Sequence, residues 1–198
     1  RFQVLSVVLL LLTTAIVSAA DKFTVYAVNY PLAYFAERIG GDKIQVIFPV
    51  APNVDPAFWE PTAKDIAGFQ QADIILLNGA GYAKWVKRAS LPRRKLVNTS
   101  SAFQKDYISV TGTATHQHGP GGDHSHAGTA FTTWLDFNQA IQQAKAIQLA
   151  LVTHHPEYAD VFKRNYTVLE TELDNLDKKI MELAARNPDK LFVASHPV

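Results

Sequence analysis

Four of the chain's seven histidines, His116, His118, His124 and His126, fall in one run, ATHQHGPGGDHSHAG, at residues 114–128. They come as two H-x-H pairs, with Asp123 beside the second, on a background of Gly, Pro, Ser and Ala that offers nothing large to pack. Neutral imidazole is the commonest nitrogen ligand for zinc. The pattern therefore predicts weak metal sites of changing composition on a Gly-rich tether. The competing reading is a solvated linker whose histidines bind nothing. The chain has no Cys, so thiolate ligands and disulfides are excluded, and a soft-metal site has only His, Asp and Glu to use.

Other chemistry is harder to find. There is no G-x-S-x-G, H-E-x-x-H or P-loop pattern, and Ser100 and Ser101 have no identifiable base. No enzyme constellation emerges, and no enzyme is predicted. Lys and Arg total 19 against 18 Asp and Glu, which leaves no broad positive field for nucleic acid or anionic membrane.

The elements that must position these groups follow from the patterning. Residues 1–20 place Arg1 before an apolar run at 4–17 and then Ser18, Ala19 and Ala20, the layout of a secretory signal peptide with an A-x-A-like cleavage site. The run is shorter than the roughly 20 residues of a membrane span. No Cys follows it to carry a lipid anchor, and the expected location is periplasmic. The first residue is Arg rather than Met, so a piece of a longer reading frame is expected.

Strands are predicted at 22–31, 43–50, 72–79 and 95–100, and helices at 32–41, 62–71 and 81–90. Thr62 and Asp65 suit a capping box. Alternating strands and helices imply an α/β lobe over residues 21–153 with a mostly parallel sheet, whose ligand sits at the carboxyl ends of the strands. Residues 101–130 read as a long loop. Helices follow from about Asp136, which suits a cap, and over 156–187. The second carries Phe162, Tyr166, Leu169, Leu173, Leu176, Ile180 and Leu183 at alternate spacings of four and three. It is longer than a small domain needs, which makes it an interdomain helix. Residues 190–198, LFVAS and then SHPV, begin a strand that leads into a second, truncated lobe.

The runs NVDPAFWEPTAKDIAGFQQADIILLNGAGYAKWV, TTWLDF and FVASHP resemble the zinc/manganese substrate-binding proteins of bacterial ABC transporters, and the likeness covers nearly the whole chain after the leader. It implies two α/β lobes joined by one long helix, a metal ion held in the cleft between them, and delivery of that ion to a membrane permease. Zinc is the implied cargo, with manganese the alternative. The His-rich loop resembles one that gathers zinc at the cleft mouth in zinc-specific members.

Residue by residue the match is incomplete. Where members carry His directly after a Pro and before EPT, this chain has Ala57. Where they carry His two residues before the Trp of W-L-D, it has Thr132. His196 matches the third ligand. Three readings follow. Metal is held through substitutes such as Glu60, Asp55 or a loop histidine. A different, non-metal ligand is held, with Phe58 and Trp59 as an aromatic wall. Or the loop alone binds metal, as a periplasmic buffer or adhesion-type interaction protein.

Overall fold

A computed structural model describes residues 22–110, 115–117, 123–125 and 128–190. The predicted leader and, apart from Lys190, the strand expected at 190–198, with His196, lie outside the described residues.

The first strand, β1 (Phe23–Ala27), is shorter than the predicted 22–31. The Asn29 side chain ends it by accepting the Leu32 N–H at 3.1 Å, which caps α1 (Tyr30–Gly40). Then come β2 (Ile44–Ile47), α2 (Ala63–Gln71), β3 (Ile74–Leu77) and β4 (Leu96–Asn98). The predicted capping box is present: Asp65 N–H donates to Thr62 Oγ1 at 3.3 Å, and Thr62 N–H donates to Asp65 Oδ2 at 2.8 Å.

The strands form one sheet in the order β2-β1-β3-β4 with every pair parallel. The α/β class is therefore as expected. Ile74, Ile75 and Leu76 are all fully buried, as a central parallel strand requires when both faces are covered. On one face Tyr26 meets Phe69 of α2, and Phe69 meets Trp85, each at 4.9 Å between ring centroids. Val25 and Ala27, at alternate positions of β1, join the core formed with α1, α3 (Phe137–His154) and α4 (Ala159–Ala185).

Three expectations need correction. The region 81–90 is not an α-helix but a single 3-10 turn at Lys84–Lys87. Gly79, Ala80, Gly81 and Ala83 precede it with φ of 77°, 50°, 76° and 46°, positive values that a right-handed helix over these residues does not allow. The region 101–130 is less loop-like than predicted. It contains a 3-10 segment (Ser101–Asp106), strands β5 (Ser109–Val110) and β8 (Gly128–Thr129) paired antiparallel, and a backbone hairpin of β6 (Thr115–Gln117) with β7 (Asp123–Ser125). The helix predicted at 156–187 opens with a 3-10 turn (Pro156–Tyr158) before α4.

The 27 residues of α4 span about 40 Å. Its stripe divides in two. Phe162, Tyr166, Leu169 and Leu173 are buried, whereas Leu176, Ile180 and Leu183 are 45%, 57% and 54% exposed. The buried part is also tied by polar contacts: Arg38 to Glu172 at 2.8 Å, and Asn165 Nδ2 to the Ile39 carbonyl at 3.0 Å. Among the described residues no helix is long and apolar enough to cross a membrane.

Candidate functional site

Every strand of a parallel sheet ends on the same edge, so the loops after β1, β2 and β3 meet there. Beneath them lies a buried polar floor. Asn78 Oδ1 accepts from Asn29 Nδ2 at 3.1 Å and from Gln143 Nε2 at 3.2 Å. Gln143 Nε2 also donates to Thr99 Oγ1 at 3.1 Å, and Thr99 Oγ1 donates to the Leu77 carbonyl at 2.9 Å. Asn78 Nδ2 reaches forward to the Phe131 carbonyl at 2.9 Å. That bond fixes the segment carrying Thr132 to the end of β3.

The turn after β3 is just as constrained. A Cβ on Gly79 would sit 1.9 Å from Ser100 Oγ and 2.5 Å from Asn98 Oδ1, and only glycine fits. Tyr107 OH accepts the Ala80 N–H at 3.2 Å and meets the Ser100 hydroxyl in a short contact.

Above this floor opens a cavity of about 860 Å³. Ala57 and Thr132, the two positions where the family resemblance placed missing ligands, both line it. They come from separate loops and are brought together only by the fold. Asp55 lines it too, and its Oδ1 accepts the Ala57 N–H at 2.9 Å. Thr132 Oγ1 is buried and has no hydrogen-bond partner among the described residues. Phe58, Tyr82, Phe131 and Trp134 supply aromatic wall. Tyr82 meets Phe131 at 5.3 Å and Trp134 at 5.8 Å, both edge-on. Burial, and then the charge of Asp55, hold the Tyr82 hydroxyl far above its ordinary pKa, so it stays neutral.

Glu60 and Trp59 take other roles. Arg88 Nη2 holds both Glu60 oxygens, at 2.5 and 2.7 Å, and Glu60 is not among the cavity-lining residues. Trp59 packs edge-on against Trp85 at 6.0 Å and near Phe69 at 6.4 Å, so the expected aromatic wall has Phe58 but not Trp59.

The His-rich segment springs from the mouth of the cavity. Its two stems pair as Ser109 with Thr129 and Val110 with Gly128, and Val110, Gly128 and Thr129 line the cavity. The backbone of His116 stands opposite that of His124 in the β6–β7 ladder. His118 and His126 lie outside the described residues. Among the described residues no group of three or more His, Asp and Glu is arranged to hold a metal.

Residues 25–198 match the model of the family described as zinc-uptake complex component A, periplasmic. The chain belongs to this family. The high-affinity zinc uptake system protein ZnuA of Bacillus subtilis (strain 168) is 30% identical over 187 residues, 90% of this chain and 57% of that protein. The metal ABC transporter substrate-binding lipoprotein SloC of Streptococcus mutans serotype c is 28% identical over 193 residues, 90% of this chain and 58% of that one. A crystal structure of a ZnuA shares the fold with a TM-score of 0.73 at 23% identity, over 89% of this chain and 64% of that one. The chain thus spans between a third and three fifths of the length of the curated relatives it matches. Membership in a zinc-uptake family agrees with the expectation of a binding protein and no enzyme.

Lys84, Lys87, Arg88 and the Asn29–Asn78–Thr99–Gln143 floor escaped the sequence reading. For Gln143 a signal existed: a polar residue stands in the buried stripe Ala140, Ala144, Ile147 and Leu151 of α3. For the cations there was none, because the residues 84–88 read as an ordinary solvated helix face.

Proposed function

We propose that this chain captures metal in an exported solute-binding protein of a metal-uptake ABC transporter. Zinc is the cargo, ahead of manganese, and the loaded protein delivers it to a membrane permease. The leader at residues 1–20 directs it to the periplasm. The mechanism is capture and release without bond chemistry.

One observation carries this reading: Ala57 and Thr132, distant in sequence, line a single cavity at the carboxyl ends of the sheet, with the stems of the His-rich segment at its mouth. Family membership supports it. His196 supplies an imidazole from beyond the long helix. Asp55 offers the carboxylate at the cavity. His116, His118, His124 and His126 gather zinc from solution and pass it inward. Each imidazole binds only when neutral, so capture fades as pH falls through about 6.5.

The test is zinc competition against a chelator of known strength, with the full-length protein that contains this chain. His196→Ala is expected to abolish the tight site, and deletion of residues 117–127 to remove only weak sites. An intact protein with no tight site for zinc or manganese overturns the reading. Unchanged stoichiometry after the deletion removes the loop from it.

A further inference from the structure

The cavity does not suit a bare cation. Among the described residues three positive side chains, Lys84, Lys87 and Arg88, line it against one carboxylate, Asp55, so three minus one leaves a surplus of two positive charges. Glu60 offsets Arg88 from outside the lining, which still leaves a surplus of one. Neither lysine has an ion-pair partner among the described residues. A concave wall focuses such a field and repels a dication while drawing anions.

The donor set points the same way. The Ala57 side chain cannot coordinate, the Thr132 hydroxyl is buried and a poor zinc ligand, and one Asp55 oxygen already accepts the Ala57 N–H. Zinc keeps at least three protein ligands even in open sites. The described wall instead offers aromatic surface from Tyr30, Phe58, Tyr82, Phe131 and Trp134. At about 860 Å³ the part of the cavity lined by the described residues has room for a small organic molecule beside an ion.

We propose that this cavity takes its metal as an anionic complex with a small polycarboxylate chelator. The chelator's carboxylates supply the donors absent at Ala57 and Thr132. Its outward oxygens pair with Lys84 and Lys87, and its carbon frame lies against the aromatic wall. The inference rests on the metal-capture reading and deepens it, by exchanging a bare ion for a complex.

Citrate serves as the probe. The full-length protein and its 117–127 deletion are dialysed against zinc alone, citrate alone, and zinc with excess citrate, and bound zinc and citrate are both counted. Zinc and citrate are expected to be retained together, at least about 10-fold more tightly than zinc alone. The double variant Lys84→Gln, Lys87→Gln changes two exposed side chains, and a thermal melt checks that it is folded. It is expected to lose that advantage while bare zinc binds no more weakly, since two repelling charges are gone. Bare zinc binding as tightly as the complex overturns the inference and leaves metal capture standing. So does a double variant that holds the complex unchanged, or one that weakens bare zinc in parallel. Citrate alone binding as tightly as the complex overturns the inference, and no zinc retained in any arm overturns both readings.

Discussion

At the floor of the cavity, Asn29, Asn78, Thr99 and Gln143 are each no more than 1% exposed and are joined by bonds of 3.1–3.2 Å. At the rim, Asp55, Lys84, Lys87 and Arg88 are exposed, and the ion pair of Arg88 with Glu60 has side chains 66% and 67% exposed. A buried amide left without its partner costs about 1–3 kcal/mol, whereas an exposed ion pair contributes about 0–1 kcal/mol. The floor is therefore held by stability, and a change there disturbs the fold. The rim carries little of that stability, and a change there should leave the fold intact. Ala57 and Thr132, the positions singled out by the family resemblance, line the cavity above the floor.

Glycine substitution tests this division most severely. Gly79→Ala places a Cβ against Ser100 Oγ in a left-handed conformation. The cost is about 3 kcal/mol, from about 1–2 for the conformation and about 1–3 for overpacking. Gly81→Ala has the same backbone sign but open space around its Cβ, and should cost about 1 kcal/mol. Melting temperatures should separate the two by several degrees, at about 2–4 °C per kcal/mol. Equal losses would erase the distinction between floor and rim.

Asn78→Ala should cost about 2 kcal/mol, because the Phe131 carbonyl and Asn29 Nδ2 lose their partner while Gln143 keeps Thr99. Denaturant midpoints measure it. A loss below about 0.5 kcal/mol would mean that water replaces the network, and that Asn78 does not position the Thr132 segment.

Ala57→His with Thr132→His returns two imidazoles to the cavity. Zinc should bind at least about 10-fold more tightly, about 1.4 kcal/mol, with little change in the melt. No gain, measured by chelator competition with residues 117–127 deleted, would mean that the two side chains do not converge on one ion.

Glu60→Gln is the mildest test. Stability should move by less than about 1 kcal/mol, and zinc affinity should hold, because the carboxylate serves Arg88. A ten-fold loss of zinc affinity would reassign Glu60 from the rim ion pair to the metal.

Local rules were legible where neighbours in sequence carry them. The capping box of Thr62 and Asp65, the Asp136 cap of α3 and the apolar run of β3 all follow from short-range chemistry, and all are present. The 81–90 region was misread because its lysines and aromatics mimic an α-helix. The left-handed Ala80 and Ala83 have no signature of their own, since alanine is the best helix former. Ala80 is tied there by its N–H donating to Tyr107 OH, a partner 27 residues away that local sequence does not announce.

By itself the sequence determined the α/β alternation, the helix caps, the family, and the absence of His at positions 57 and 132. These rest on residue type and spacing along the chain. Only the tertiary structure decided that Ala57 and Thr132 share one cavity, that Asn78 and Gln143 support it, and that Lys84 and Lys87 face it. Those relations join residues on different elements, and nothing in periodicity encodes which element meets which. The same limit holds on α4. Its spacing of four and three describes one continuous apolar stripe, yet the packing of α1 and α3 buries it through Leu173 and leaves Leu176, Ile180 and Leu183 open. Periodicity shows which face of a helix seeks cover; the neighbouring elements decide how much of it is covered.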